Sequence, residues 1–247
     1  MTKHLASHGR RAFLRIGGAA ALFPFLTAPF SALAQTASGG MKIGVVGSGR
    51  LGGTVGGLWV KAGHQVMFSS RHPEELMRLV EGLGPKARAG TVADAVAFGE
   101  VILIAVPYSA LPQIGRDNAK GLAGKVVLDA CNPIAARDGE IVKEANENGV
   151  GPTSAKYLPG TRLVRAFNSF GAGKFASESR RPGEPIGVPI ASDDAEALKV
   201  AAKLVRDAGF EPVAVPLAHA KEFAPPGPLF TQALPVSELK QRLGIKQ

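Results

Sequence analysis

The chain of 247 residues has a single cysteine, Cys131, so no disulfide can form within one copy of it. No cysteines and histidines fall at the spacing of a zinc site, and we expect no bound metal. Lysine and arginine outnumber aspartate and glutamate by 29 to 20, but they form no basic run and no stripe interleaved with aromatic residues. This excess of positive charge therefore does not indicate nucleic-acid binding, and we expect no nucleic-acid partner.

The chain also lacks the side-chain patterns by which enzymes without cofactors work. No serine, histidine and aspartate stand out as a hydrolytic triad, and no pair of carboxylates is spaced for acid–base catalysis. We therefore expect no catalytic acid, base or nucleophile among the side chains. If the protein catalyses a reaction, a bound cofactor has to supply the reactive group.

The first 34 residues have the pattern of an export signal. The pair Arg10-Arg11 precedes an apolar stretch at 16–33 that ends in small residues. This pattern resembles the twin-arginine signal of bacteria, whose export machinery carries folded proteins. We expect cleavage after Ala34, a linker at 35–40 and a periplasmic protein. The alternative is an uncleaved signal that anchors the protein, because the apolar stretch is nearly long enough to span a membrane.

A glycine-rich turn follows the first strand of the remaining chain. The short apolar run Lys42–Val46 is typical of a buried parallel strand, and a helix is predicted from about Arg50 to Ala62. Between them the glycines have the spacing of a dinucleotide-binding turn, in which backbone N–H groups hold the pyrophosphate. The alternative, glycines that serve only packing, explains less of this strand–turn–helix–strand order. The predicted cofactor-binding residues are Gly47, Ser48, Gly49, Arg50, Leu51 and Gly52.

The end of the second predicted strand indicates which dinucleotide binds. An NAD enzyme usually has an acidic residue there, hydrogen-bonded to the ribose 2′-hydroxyl. This chain has Ser69, Ser70 and Arg71 instead, and its first carboxylate is Glu74. Two hydroxyls and a guanidinium suit a 2′-phosphate, so these three residues predict NADP(H) rather than NAD(H). The alternative is that Arg71 is simply a solvated loop charge.

Strands and helices alternate through the rest of the chain. This alternation predicts an α/β fold with a single Rossmann-type, doubly wound, mostly parallel sheet and helices on both faces. The prolines of the strand at 185–191 place it near an edge of the sheet. The predicted organisation is a signal at 1–34, a linker at 35–40, an NADP-binding domain at 41–217 and a turn-rich segment with a helix at 218–247.

Ligands of such sheets bind beyond the carboxyl ends of the strands. Two further loops therefore complete the predicted cofactor site, and a third one is predicted to bind the substrate. Tyr108 either covers the cofactor or packs in the core, and Cys131 either touches the nicotinamide or is buried. The predicted cofactor residues are Ala105, Val106, Pro107, Tyr108, Cys131, Asn132 and Pro133. The predicted substrate residues are Asn168, Ser169 and Phe170.

With these loops identified, the chain resembles the NADPH-dependent F420 reductase family over about residues 41–240. It is also similar to the oxidoreductase domain of the six-transmembrane metalloreductases. The residues that carry the resemblance, besides the glycine turn, are 69–73, 105–107, 129–133 and 165–169.

The resemblance implies NADPH lying across the sheet edge and a flavin or deazaflavin, such as F420, FMN or FAD, facing the nicotinamide. Hydride would pass directly between the two rings. By position, Ser70 and Arg71 would hold the 2′-phosphate, while Val106, Pro107 and the loop 131–133 would border the ribose and nicotinamide. Asn168 and Ser169 would lie nearest the second ring. A homodimer is a further expectation from the family.

Two alternatives from other classes stay open. One is a reductase of a small imine or carbonyl, of the pyrroline-carboxylate reductase kind. That family needs a mostly helical second half, whereas strands are predicted here beyond residue 161. The other is an NADP-binding module without catalysis, which would have the same glycine turn.

Overall fold

The computed structural model describes residues 40–245, which lie within one compact unit, Gly39–Gln247. The predicted export signal, its cleavage site and the linker up to residue 39 lie outside the described residues. Within the described range, no helix is both long and apolar enough to cross a membrane.

The described chain forms one sheet of eight strands in the order β3-β2-β1-β4-β5-β6-β7-β8. The first six strands in chain order are parallel, β7 runs antiparallel to β6, and β8 is parallel to β7. The strands are β1 (Lys42–Val46), β2 (Gln65–Ser69), β3 (Ala87–Gly90), β4 (Val101–Ile104), β5 (Val126–Asp129), β6 (Arg162–Arg165), β7 (Gly187–Ala191) and β8 (Glu211–Val215).

Helices connect the strands. Three 3₁₀ turns, at Pro73–Leu76, Tyr108–Ala110 and Leu217–Phe223, accompany them. The α-helices are α1 (Arg50–Lys61), α2 (Met77–Leu83), α3 (Val92–Phe98), α4 (Leu111–Asp117), α5 (Ala119–Leu122), α6 (Ala135–Asp138), α7 (Ile141–Asn148), α8 (Val150–Tyr157), α9 (Ala172–Glu178), α10 (Ala195–Asp207) and α11 (Val236–Arg242).

The sheet separates two hydrophobic cores. Along β4, Val101 and Leu103 belong to one core, while Ile102 and Ile104 belong to the other. Because successive side chains of a strand point to opposite faces, this division shows that both faces of the sheet are covered. The prediction of a doubly wound, mostly parallel sheet with helices on both faces is confirmed.

The strand predicted near an edge, β7, lies beside the edge strand β8, as expected. Its pairing with β6 is confined to Arg165 and Ala191, so Pro189 removes no bond from that ladder. Two features were not predicted. The short strand β3 forms the opposite edge, and helices α6 to α8 fill the connection between β5 and β6.

The C-terminal segment packs in the same compact unit as the sheet. It pairs with the start of β7 through an isolated bridge between Ile186 and Pro235. Nearby, the Gly187 N–H donates to the Leu234 carbonyl at 2.9 Å. The Thr231 N–H donates to the Ser169 carbonyl at 2.7 Å. These bonds bring residues far along the chain to the loop that follows β6.

Candidate functional site

The candidate site lies where the order of the strands reverses, between β1 and its neighbour β4. Gly47 leaves β1 with a φ of 91°, a conformation that favours glycine. A Cβ on it would lie 2.6 Å from the carbonyl oxygen of Ala105, which follows β4. The two loops therefore touch, and the crevice beyond the strand ends begins at their contact.

The amino end of α1 is open to a ligand. A Cβ on Gly52 would lie 2.1 Å from the Gly47 carbonyl oxygen, so a glycine is needed for the helix to pack this closely. A Cβ on Gly49 would instead have no neighbouring atom within 4 Å. Gly49 caps α1 without a side-chain hydrogen bond, and the first turn has no acidic residue. The free N–H groups and positive end of the helix dipole thus face a space that an anion can enter.

A buried hydroxyl in the same turn, that of Ser48, has no hydrogen-bond partner among residues 40–245. The Ser48 N–H donates to the Ser69 carbonyl at 3.0 Å and ties the turn to the end of β2. The Ser48 Oγ, in contrast, is buried and makes no hydrogen bond with the described residues. An unpaired donor beside an open helix terminus fits the pyrophosphate of a dinucleotide.

The three residues at the end of β2 differ in what they can offer a 2′-phosphate. Ser69 is completely buried, and its hydroxyl donates to the Val45 carbonyl at 2.8 Å, so this side chain ties the end of β2 to β1. Of the predicted serine pair, Ser69 thus already has a partner for its hydroxyl proton, and the contact of both serines with a 2′-phosphate stays a prediction. Ser70 is half-buried and its Oγ accepts the His72 N–H at 3.1 Å. Arg71 is exposed, and its guanidinium makes no hydrogen bond or ion pair within residues 40–245.

A crevice with a volume of about 370 Å³ runs along the carboxyl ends of the next strands. It brings together seven of the predicted site residues: Leu51, Ala105, Val106, Pro107, Asn132, Asn168 and Phe170. Residues that the sequence did not indicate complete its lining: Ala130, Ile134, Arg137, Gly171, Ala172, Phe230 and Thr231. The lining contains several apolar residues and one cation, Arg137, and it lacks carboxylates.

A buried ion pair supports this crevice from below. Asp129 and Arg165, at the ends of the neighbouring strands β5 and β6, are both fully buried, and Nη1 of Arg165 donates to Oδ2 of Asp129 at 2.7 Å. The same Nη1 donates to the Cys131 carbonyl at 2.5 Å, and Nη2 donates to Oδ1 of Asn132 at 3.0 Å. The guanidinium therefore holds the loop after β5 in place.

Two asparagines extend this network to the crevice. Nδ2 of Asn132 donates to the Asn168 carbonyl at 2.7 Å, and Nδ2 of Asn168 donates to Oδ1 of Asn132 at 3.1 Å. Phe167, between Arg165 and Asn168, has a φ of 59°, an uncommon conformation for a residue with a side chain. This turn places Asn168 against Asn132, and the network maintains a locally unfavourable backbone.

A second polar cluster fixes the outer wall of the crevice. The carboxylate of Asp138 accepts from the backbone N–H groups of Ser109 and Ile134 at 3.1 and 2.8 Å, and from Nη2 of Arg137 at 2.8 Å. Burial raises the pKa of Asp138, but these donors outweigh it and hold the pKa at about 2. The ionised carboxylate thus joins the loops after β4 and β5, while Arg137 stays half-exposed.

Two predicted cofactor residues have side chains that point into the core. The hydroxyl of Tyr108 donates to the Val150 carbonyl at 3.2 Å, and burial raises its pKa. Cys131 is 1% exposed; burial, reinforced by Asp129, raises the pKa of its thiol well above the ordinary value. Both side chains therefore pack in the core and stay neutral, so a contact with the cofactor is left to their backbone. Pro133 and Ser169 are also buried.

Comparison with known proteins agrees with this geometry. Residues 42–133 match the model of the family described as NADP oxidoreductase, coenzyme F420-dependent. The F420-dependent NADP reductase of Methanothermobacter marburgensis is 28% identical over 179 residues, which are 66% of this chain and 78% of that protein. Metalloreductase STEAP3 of Rattus norvegicus is 29% identical over 194 residues, which are 77% of this chain but only 37% of the metalloreductase.

A solved structure shows the same fold. It belongs to a candidate F420-dependent NADP reductase of Arthrobacter sp. FB24, with a TM-score of 0.65 and 24% identity. The match covers 83% of this chain and 96% of that one. The resemblance derived from the sequence is therefore confirmed: residues 42–133 match the model of the F420-dependent NADP oxidoreductase family, and the fold is that of the solved relative.

Proposed function

We propose that the protein is an NADP(H)-dependent oxidoreductase that transfers hydride between NADP(H) and a flavin or deazaflavin of the F420 type. The observation that carries this proposal is the open amino end of α1 together with the exposed guanidinium of Arg71, which makes no hydrogen bond or ion pair with residues 40–245. An anion can reach the helix end past Gly49, where a Cβ would meet nothing within 4 Å. Arg71 follows the neighbouring strand β2 and is exposed, so its guanidinium can donate to a second phosphate.

Different residues would bind the pyrophosphate, the 2′-phosphate and the nicotinamide. The N–H groups at the start of α1 and the hydroxyl of Ser48 would hold the pyrophosphate, and Ser70 and Arg71 would hold the 2′-phosphate. Val106 and Pro107 would form the apolar border of the nicotinamide. When bound, NADP(H) supplies the hydride, so the protein has to orient two rings and exclude water rather than move protons.

The composition of the crevice supports a ring-shaped acceptor. Its lining includes Phe170, and Phe230 approaches from the C-terminal segment. No carboxylate lines the crevice to repel an anionic acceptor, and the half-exposed guanidinium of Arg137, whose charge is paired with the buried Asp138, lies in its wall. F420, FMN and FAD all combine a planar ring with negative charge.

The test is a comparison of nucleotides and acceptors. The purified protein is mixed with NADPH or NADH, and then with FMN, FAD, F420 or a small cyclic imine, while nicotinamide oxidation is followed by absorbance. We expect NADPH to be oxidised in the presence of a flavin or of F420. Turnover only with the imine would support the imine reductase instead, and tight NADPH binding without any turnover would support a non-catalytic module.

We further propose export to the periplasm by the twin-arginine route, with cleavage after Ala34. The support is the sequence of the first 34 residues, and this route suits a protein that takes up its nucleotide in the cytoplasm. Cell fractionation and N-terminal sequencing test it, and the variant Arg10→Lys, Arg11→Lys is expected to stay in the cytoplasm. A full-length protein in the membrane would indicate anchoring, and one in the cytoplasm would contradict export. The homodimer expected from the family stays a prediction, which the mass in solution would test.

A further inference from the structure

The side-chain oxygen of Asn168, beside the crevice, has no hydrogen-bond partner among residues 40–245, and neither has the neighbouring Ser169 Oγ. Asn168 lines the crevice and is 2% exposed. Its Nδ2 donates to Oδ1 of Asn132 at 3.1 Å and to the Phe223 carbonyl at 3.3 Å. Its Oδ1 is buried and accepts no hydrogen bond from the described residues. A buried acceptor without a donor is uncommon in folded proteins and often indicates a place that a ligand completes.

The orientation of this amide is fixed by its neighbours. Asn132 presents Oδ1 to the Asn168 side chain because Arg165, which can only donate, contacts the same oxygen. The Phe223 carbonyl is also an acceptor. A flipped Asn168 would therefore direct its oxygen at two acceptors, so the amide nitrogen has to face them and the oxygen has to face away.

The backbone restrains the same residue. The Asn168 carbonyl accepts from Nδ2 of Asn132 at 2.7 Å, so the two asparagines bind each other at two points. The preceding turn at Phe167 and the buried ion pair of Arg165 leave this pair little freedom. Oδ1 of Asn168 is thus a rigid acceptor, and no side chain of the described crevice lining, Arg137 and Thr231 included, donates to it.

We propose, building on the proposed NADP(H) site, that Oδ1 of Asn168 accepts a hydrogen bond from the carboxamide N–H of the nicotinamide. The chemistry that fits is a planar amide N–H that enters the crevice next to the end of β5. A nicotinamide bound against the loops after β4 and β5 can donate a hydrogen bond only through the N–H of its carboxamide. The bond fixes the rotation of the ring about its glycosidic bond, so Asn168 acts as a positioning residue that determines which face of the ring is presented to the acceptor.

The test pairs a change in the protein with a change in the ligand. Calorimetry measures the Kd of NADP⁺ and of its 3-acetylpyridine analogue, in which a methyl group replaces the amide nitrogen, for the wild type and for Asn168→Ala. We expect the wild type to prefer NADP⁺ by about fivefold, the value of one neutral hydrogen bond, and the variant to bind both ligands about equally. The buried Ser192, whose hydroxyl donates to the Leu163 carbonyl, provides the control Ser192→Ala, which should keep the preference.

The other outcomes are also decisive. A preference that is unchanged in Asn168→Ala overturns the proposal. If the preference stays and Asn168→Ala instead removes discrimination between lumiflavin and 3-methyl-lumiflavin as acceptors, the amide contacts the imide N–H of the second ring and the proposal is also overturned. Asn168→Ser, whose shorter side chain cannot reach as far, serves if the alanine variant does not fold. Wild-type protein that binds no NADP⁺ at all would contradict the proposed function itself.

Discussion

The two ends of the candidate dinucleotide site are built in opposite ways. At the adenosine end, the guanidinium of Arg71 is exposed and makes no hydrogen bond or ion pair with another described side chain. At the nicotinamide end, Asp129 and Arg165 are fully buried and the asparagines above them are held by hydrogen bonds on several sides. The charge at the adenosine end is thus available for a ligand, whereas the charges at the nicotinamide end stabilise the protein itself.

This difference follows from the cost of burying charge. In the unbound protein a solvated guanidinium carries no desolvation penalty. When a phosphate binds, the guanidinium gains a charge-assisted hydrogen bond. An unpaired charge buried beneath the crevice would lower the stability of the fold. Such a charge therefore has to be paired and hydrogen-bonded in the unbound protein. We infer that the exposed end determines which nucleotide binds and that the buried end determines where its ring lies.

The largest expected effect comes from breaking the buried end. Arg165→Met leaves Asp129 as an unpaired buried carboxylate, so we expect the free energy of unfolding to fall by about 3–5 kcal/mol. Urea unfolding measures this loss. The control is Arg162→Met, because Arg162 pairs with Asp194 at a partly exposed site where a pair contributes about 1 kcal/mol or less. Adding Asp129→Asn to Arg165→Met should recover part of the loss; equal losses for Arg165 and Arg162 would contradict the comparison.

A smaller effect is expected from a substitution at the exposed end, and it concerns nucleotide affinity instead of the free energy of unfolding. Arg71→Ala should weaken NADPH relative to NADH by about 2 kcal/mol, or about 30-fold, because it removes a charged hydrogen bond to the 2′-phosphate. Calorimetry with both nucleotides measures this difference. Arg242→Ala, at an exposed arginine of α11, is the control that should change neither affinity. Equal weakening of both nucleotides would mean that Arg71 does not contact the 2′-phosphate.

The outer wall of the crevice should respond to acid. The folded-state pKa of Asp138 is about 2 and lies below its ordinary value. Its contribution to stability is therefore complete above about pH 5 and is lost as the pH falls toward 2, amounting to about 2 kcal/mol. Urea unfolding of the wild type and Asp138→Asn between pH 5 and 2.5 tests this. The gap between the two proteins should shrink with acidity, and a constant gap would exclude an ionised carboxylate at this position.

The smallest effect on the unbound protein is expected at the glycine turn. Gly49→Ala adds a methyl group that meets nothing within 4 Å, so the free energy of unfolding should change by about 0.5 kcal/mol or less. The same methyl group enters the space of the pyrophosphate and should weaken NADP⁺ by about tenfold or more. In Gly52→Ala the methyl group meets the Gly47 carbonyl, so this variant should lose stability as well. Unchanged NADP⁺ binding in Gly49→Ala would place the pyrophosphate elsewhere.

The exposed end could largely be predicted from the sequence, because its signals are local. The helix expected from Arg50 to about Ala62 ends at Lys61, and the strand before it has the predicted bounds. Glycine spacing and the residues after β2 are read from one continuous stretch. The role of Ser69 was not evident, since only the structure shows that its hydroxyl is bonded to β1.

The buried end could not be predicted in the same way, because its contacts join distant parts of the chain. Asp129 and Arg165 lie on separate strands, and nothing in either strand indicates that they pair. The strand β3 has the sequence Ala-Arg-Ala-Gly, which lacks β-branched residues, and pairing with β2 alone determines it. In the connection at 135–157, Gly139, Gly149 and Pro152 interrupt the helical periodicity.

The bond from Thr231 to the Ser169 carbonyl has a consequence for how the molecule is made. Phe230 and Thr231 close one side of the crevice, yet they are synthesised after the whole of the sheet. While the ribosome still holds these residues, the growing chain has a sheet with glycine turn but an incomplete wall on the nicotinamide side. The wall of the crevice can therefore be completed only after translation has passed these two residues, which makes its closure a late step in the folding of this chain.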